Sequence, residues 1–188
     1  MQIAVRAAAA VALLFVASAL PLLAAGRIFV PWKVLDAGDP ATESMFVLYW
    51  VPSSPDEMRK SDLLTSRPLA IYSSRCVAMH VVRVDDGERV EALGVGKLPV
   101  VILVQDGGEV ARVGGDGTIF RAGDVESMID DVFAAREAAA QGDLDRGREL
   151  VKEGDQAQAA ELFERVSNCR CAFPKLARQA EKALARIK

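Results

Sequence analysis

The sequence predicts an α/β domain built on a central mixed β-sheet, followed by a C-terminal helical hairpin. Three stretches carry that reading. Val100–Val104, VVILV, is a short apolar run with four β-branched residues, the pattern of a strand buried on both faces. Asp106-Gly107-Gly108 follows it as a hairpin turn, and Glu109–Val113 then alternates polar and apolar residues as a strand with one wet face. Met45–Val51, MFVLYWV, is a second apolar run and reads as a central strand. From Gly142 the composition shifts to Ala, Glu, Arg and Gln, with apolar residues at helical spacing.

Taken in order, residues 1–26 hold one charge, Arg6, then a long apolar run and small residues up to Ala24-Ala25-Gly26. This is the profile of a cleaved export signal. The run also approaches the ~20 residues of a membrane span, so an uncleaved N-terminal anchor stays open. Either places the remainder in the periplasm or on the extracytoplasmic face of the membrane. Residues 27–42, broken by Pro31, Gly38 and Pro40, read as a linker with room for a short strand at Trp32–Leu35.

After the Met45–Val51 strand, Pro52-Ser53-Ser54-Pro55-Asp56-Glu57 marks a helix start. Ser54 is the N-cap, Pro55 the first helical residue, and Glu57 the reciprocal member of a capping box. The helix is expected to run to about Thr65, with a further short helical turn over Leu69–Ser74. Cys76–Val84 contains the next strand, ending at Asp85 and Asp86. Glu88–Leu93 is a short helix stopped by Gly94. Pro99 stands directly before the VVILV strand, one of the few places in a sheet that suit a residue without an N–H. Asp124–Ala140 forms a helix whose apolar face is Met128, Ile129, Val132 and Phe133.

FVLYW, VVRVDD, GVGKLPVVIL and DGGEVARVGG, in that order, resemble the thioredoxin-like superfamily over about residues 43–140. The nearest likeness is to exported bacterial members. The resemblance implies a three-layer sandwich with a parallel first strand pair joined by a right-handed crossover, and an antiparallel hairpin at the end of the sheet. It also implies a cis bond before Pro99, bordering the active site. A trans proline opening an ordinary strand is the plainer alternative. In redox-active members the first strand runs into W-C-x-x-C, whose first cysteine is activated at a helix N-terminus. Aligning Trp50 with the strand-end aromatic lays Ser54-Pro55-Asp56-Glu57 over that motif. Serine then replaces the nucleophile and glutamate the resolving thiol, so the dithiol mechanism is absent from this position.

The three cysteines are Cys76, Cys169 and Cys171, an odd number that leaves at least one thiol over. Cys76 is expected to be a buried core thiol. Cys169-Arg170-Cys171 falls between two helices, where a tight disulfide, a redox pair or inert thiols all remain open. His80 is the only histidine and is expected to decorate a strand face. With no second histidine and no cysteine cluster, neither a metal site nor a cofactor is expected. A net charge of −3 without a basic patch argues against nucleic acid as a partner.

Residues 142–188 form the tail. Leu144–Glu153 reads as a helix ended by Gly154, Gly154–Val166 as a turn and second helix, and Pro174 opens a last helix. The Gly-Asp turn, the small Ala159 and the apolar Leu162, Phe163 and Val166 resemble a tetratricopeptide motif. A generic helical hairpin is the alternative. One repeat cannot bury its own apolar face, so the tail is expected to pack on the domain or on a partner.

The functional expectation is a redox-degenerate module that binds protein or peptide along a groove formed by Trp50, Ser54, Leu98 and Pro99. One alternative is a thiol–disulfide oxidoreductase using Cys169 and Cys171. Another is a membrane-anchored scaffold whose tail recruits an assembly.

Overall fold

The computed structural model describes residues 28–36, 38–40, 42 and 44–187. The export segment expected at 1–26 lies outside them. Among the described residues no helix is long and apolar enough to cross a membrane.

The described chain folds as β1 (Lys33–Val34), β2 (Phe46–Val51), α1 (Pro55–Lys60), α2 (Arg67–Ser73), β3 (Val77–Val81), α3 (Gly87–Ala92), β4 (Val100–Gln105), β5 (Gly108–Gly114), α4 (Ala122–Glu153), α5 (Gln156–Asn168) and α6 (Pro174–Ile187). The five strands form one sheet in the order β1-β3-β2-β4-β5. β3 is parallel to both β1 and β2, while β4 is antiparallel to β2 and to β5. This is the central mixed sheet expected from the sequence. The bond between Leu98 and Pro99 is cis, and Asp106 and Gly107 turn the hairpin with φ of 50° and 81°.

Strand alternation sorts the side chains onto two faces. Phe46, Leu48 and Trp50 of β2, with Val77, Met79 and Val81 of β3, enter the larger core under α2 and α4. Val51, Val82, Val100 and Ile102 form the smaller core on the other face, packed with Val90 and Leu93 at α3. Polar contacts fasten α2 to α4 on the larger face. The Ser66 hydroxyl donates to Glu126 Oε1 at 2.6 Å, and Tyr72 donates its hydroxyl proton to Asp130 one helical turn on. Asp62 Oδ1 accepts from the Ala122 N–H at 3.1 Å and so caps the start of α4.

Two expected boundaries are corrected. The stretch 27–42 is no linker among its described residues. Val30 and Leu35 are buried, and the Trp32 ring meets Trp50 edge-on at 5.5 Å. Its indole N–H donates to the Leu63 carbonyl at 3.0 Å. The proline and glycine signals were real, but the apolar residues between them are anchors.

The second correction lies at Gly142, where one helix of 32 residues runs on without a break. Glycine costs about 1 kcal/mol relative to alanine inside a helix. Here Val125, Ile129, Phe133, Ala140, Leu144, Gly147 and Leu150 form one buried stripe that crosses the position, and burial along that stripe outweighs the local cost. The tail and the sheet domain consequently share one hydrophobic core. α5 and α6 pack back on α4 as a helical hairpin. A Cβ built on Gly147 would stand 2.5 Å from Cε1 of Phe163, so the approach of α4 to α5 requires glycine there.

Candidate functional site

The end of β2 positions the residues that the sequence resemblance lays over W-C-x-x-C. Ser54 is the N-cap of α1, and its Oγ accepts the Glu57 N–H at 3.2 Å. The Glu57 carboxylate closes back on Ser53 rather than Ser54, accepting from the Ser53 N–H at 2.6 Å and its hydroxyl at 2.5 Å. Both side chains therefore serve the helix start. Among the described residues no imidazole or amine bonds to Ser54 to make it a nucleophile.

Val51 pairs with Val100 in the antiparallel register, so Ser54 and Pro99 come to the same end of the sheet. Pro99 is buried, and its carbonyl accepts from the Gly115 N–H at 2.9 Å. Gly114 has φ of 78°, and a Cβ there would stand 2.5 Å from that carbonyl oxygen. The β4–β5 side of the expected groove is thus closed by tight backbone packing.

The expected groove is redrawn accordingly. Trp50 has 0 % exposure and is a core residue, because it shares the helix-covered face with Phe46 and Leu48. Leu98 is half-buried against the smaller core. The open cleft lies on the other side of Ser54, toward β1 and β3. It measures about 380 Å³ and is walled by Val34, Pro52, Pro55, Met58, Val81 and Val84 around Ser54. That volume falls at the small end of ligand-sized clefts. Val34 and Val84 are 43 % and 49 % exposed, so the apolar lining faces water. Arg83 and Asp85 stand at its rim in a two-pronged ion pair of 2.9 and 2.6 Å, and Arg83 holds the Asp85 carboxyl below the usual carboxylate range. Met58, Val34 and Val84 carried no sequence signal of a site. The one available hint was that Val84 extends an apolar strand beyond its buried part.

Asp86, the other carboxylate at the end of this strand, caps α3 through the Arg89 N–H at 3.3 Å. His80 is buried on the smaller face, with Nε2 2.6 Å from Thr42 Oγ1. Burial, then the positive charge of Lys33, lowers its pKa, so the neutral ring is favoured. No group of His, Cys, Asp or Glu among the described residues is arranged to hold a metal ion.

The cysteines are all at the opposite end of the sheet, and their expected roles are corrected. Cys76 is bonded to Cys171, with Cα atoms 5.8 Å apart, within ordinary disulfide reach. Cys76 is therefore a half-cystine rather than a core thiol, and Cys171 is bonded to it rather than to Cys169. Cys169 is free. It caps the C-terminal end of α5, its sulfur 3.5 Å from the Arg165 carbonyl, and it lines a small cavity with Met45 and Gln105. Burial pushes its thiol pKa up, and the Asp106 and Asp143 carboxylates add to the rise. Cys171 lies in the exposed turn beyond, facing the start of β3.

No family model and no curated protein matches the chain. Solved structures that align with it include a designed protein, at 14% identity and TM-score 0.37, over 47% of this chain and 81% of that one. Another is thioredoxin from Trypanosoma brucei brucei, at 20% identity and TM-score 0.36, over 49% of this chain and 78% of that one.

Proposed function

We propose that this chain is a redox-degenerate thioredoxin-like module of the bacterial cell envelope that binds protein or peptide segments at the Ser54 end of its sheet. The observation that carries the reading is the apolar, water-facing cleft around Ser54, beside a helix cap in which serine and glutamate stand where a dithiol would act. An apolar side chain from an extended segment fits between Met58 and Val84. The short edge strand β1 leaves backbone beside the cleft for strand-like pairing. The envelope location draws support from the Cys76–Cys171 disulfide, a bond at home in oxidising compartments, and from the export-like profile of residues 1–26. The helical tail adds surface for a partner, with or without a tetratricopeptide-like role.

The test uses an unfolded, carboxymethylated protein with a fluorescent label as probe. Met58→Glu and Val84→Glu are expected to weaken its binding about tenfold, or about 1.4 kcal/mol. Ile71→Glu, on an exposed part of α2, leaves binding unchanged. Absence of binding, or equal loss in all three variants, rejects the cleft as the site. Insulin-reduction assays on the same samples address the oxidoreductase alternative. Turnover that disappears in Cys171→Ser replaces the binding module with an enzyme working from the other end of the sheet.

A further inference from the structure

We propose that the Cys76–Cys171 disulfide is a reversible redox latch between the sheet domain and the helical tail, opened by an external dithiol and independent of the Ser54 cleft. The bond joins positions 95 residues apart, one at the start of β3 and the other in the α5–α6 connection. It is not what docks the tail. Ala172, Phe173 and Leu176 are buried in the shared core, and the Phe173 ring meets Phe133 edge-on at 5.8 Å. A bond that is dispensable for docking is free to open without unfolding the molecule.

The chain around the bond is also held by contacts that do not involve sulfur. The Cys76 carbonyl accepts from the Ser44 hydroxyl at 2.8 Å and from the Phe46 N–H at 3.3 Å. On the other side, the Phe173 N–H donates to the Cys169 carbonyl at 2.8 Å, bridging the turn that contains Cys171. Separated thiols therefore stay near their bonded positions and can close again. Cys171 is exposed and Cys76 half-buried, so an incoming thiolate reaches the Cys171 sulfur first.

The exchange balances without further reactants. The dithiol's thiolate attacks Cys171 Sγ and forms a mixed disulfide, and Cys76 leaves as a thiolate and takes a proton. The dithiol's second thiolate then displaces Cys171, which is protonated in turn. The dithiol is oxidised to its disulfide, and the Cys76–Cys171 bond is reduced to two thiols. Cys169, two residues from Cys171, is kept out of the reaction. It is turned toward the Arg165 carbonyl, and its desolvated thiol yields little thiolate.

The latch has a structural output. A cleft of about 660 Å³ lies between the two joined parts. Tyr72 and Arg75 form one side, Phe133 and Glu137 of α4 its floor, and Cys171 and Lys175 the other side. The disulfide fixes the distance between the first side and the last. Opening it removes that restraint, so the start of α6 fluctuates more widely about its docked position while Phe173 stays in the core.

The test is reduction of the full chain by dithiothreitol without denaturant, followed by hydrogen exchange and thiol alkylation. Cys76 and Cys171 become alkylated. Amides at residues 171–178 are expected to exchange about tenfold faster while β4 is unchanged, and reoxidation restores the original pattern. Cys169→Ser behaves as wild type throughout. Peptide mapping that finds Cys169 in the bond overturns the proposal. So does a bond that opens only in denaturant, exchange that is unchanged on reduction, or a Cys169→Ser protein that cannot be opened. None of these outcomes bears on the Ser54 cleft, which is tested by probe binding.

Discussion

The two ends of the sheet carry different chemistry. At the Ser54 end, where the resemblance implies sulfur, the side chains are a serine and a glutamate bonded into a helix cap, beside an open apolar cleft. At the Cys76 end, where it implies none, a disulfide ties in the tail and a third cysteine lies nearby. Val77 and Val81, the first and last residues of β3, mark the two ends, about 13 Å apart at ~3.3 Å per residue. The comparison teaches that the fold does not dictate where its reactive groups sit. The helix leaving β2 is capped by the Ser54 hydroxyl, because N-capping needs only a hydrogen-bond acceptor. The disulfide needs only two chain segments brought within bonding distance, which the tail supplies by folding back on α4.

The comparison can be broken most forcefully at the sulfur end. Replacing Cys76 and Cys171 together by serine releases a constraint spanning 95 residues. The unfolded-chain entropy argument gives a loss of about 4–5 kcal/mol, read from urea unfolding of oxidised wild type against the double variant. A loss below about 1 kcal/mol would mean that the bond constrains the unfolded chain little and serves only as a switch.

At the other end the expected effect is smaller. Ser54→Ala removes one cap acceptor and costs about 1 kcal/mol by the same measurement, while Ser54→Asp, which keeps an acceptor, restores most of it. Equal stability in all three proteins would show that α1 does not depend on its cap and that Ser54 is free for another role.

Between the ends, His80 supplies the smallest effect and a pH signature. Its folded pKa lies below the ordinary histidine value of about 6.5. The unfolded chain therefore binds more protons as pH falls below 6.5, so stability is fully present above that pH and declines from there toward the folded pKa. Urea midpoints measured from pH 7.5 to pH 5 should fall, and His80→Gln should flatten that slope without altering the two larger effects. An unchanged slope in the variant would assign the acid sensitivity to other groups.

Much of this arrangement was legible along the chain. The Ser54 cap, the parallel and antiparallel strand pairs and the Asp106-Gly107 turn follow from short patterns, and the cis bond at Pro99 was implied by the resemblance alone. Each depends on residues within a few positions of one another, or on a family pattern carried by such residues. The candidate cleft was only partly legible. Ser54 was in the expected groove, but Trp50 faces the core and Val34 comes from a stretch that reads as a linker. A strand's alternation says that two faces differ without saying which one the helices cover, and an exposed valine carries no mark of what stands opposite it.

The amino-acid order by itself determined the sequence of elements, the sheet's mixed character and the serine cap at the end of β2, because local sterics and hydrogen bonding decide these. Only the tertiary structure decided which two of three cysteines pair, that α4 continues through Gly142, and that the Ser54 cleft opens toward β1 rather than toward Pro99. These outcomes rest on contacts between segments far apart in the chain. Apolar burial drives such contacts together without direction, and the geometry of what already packs there selects among them.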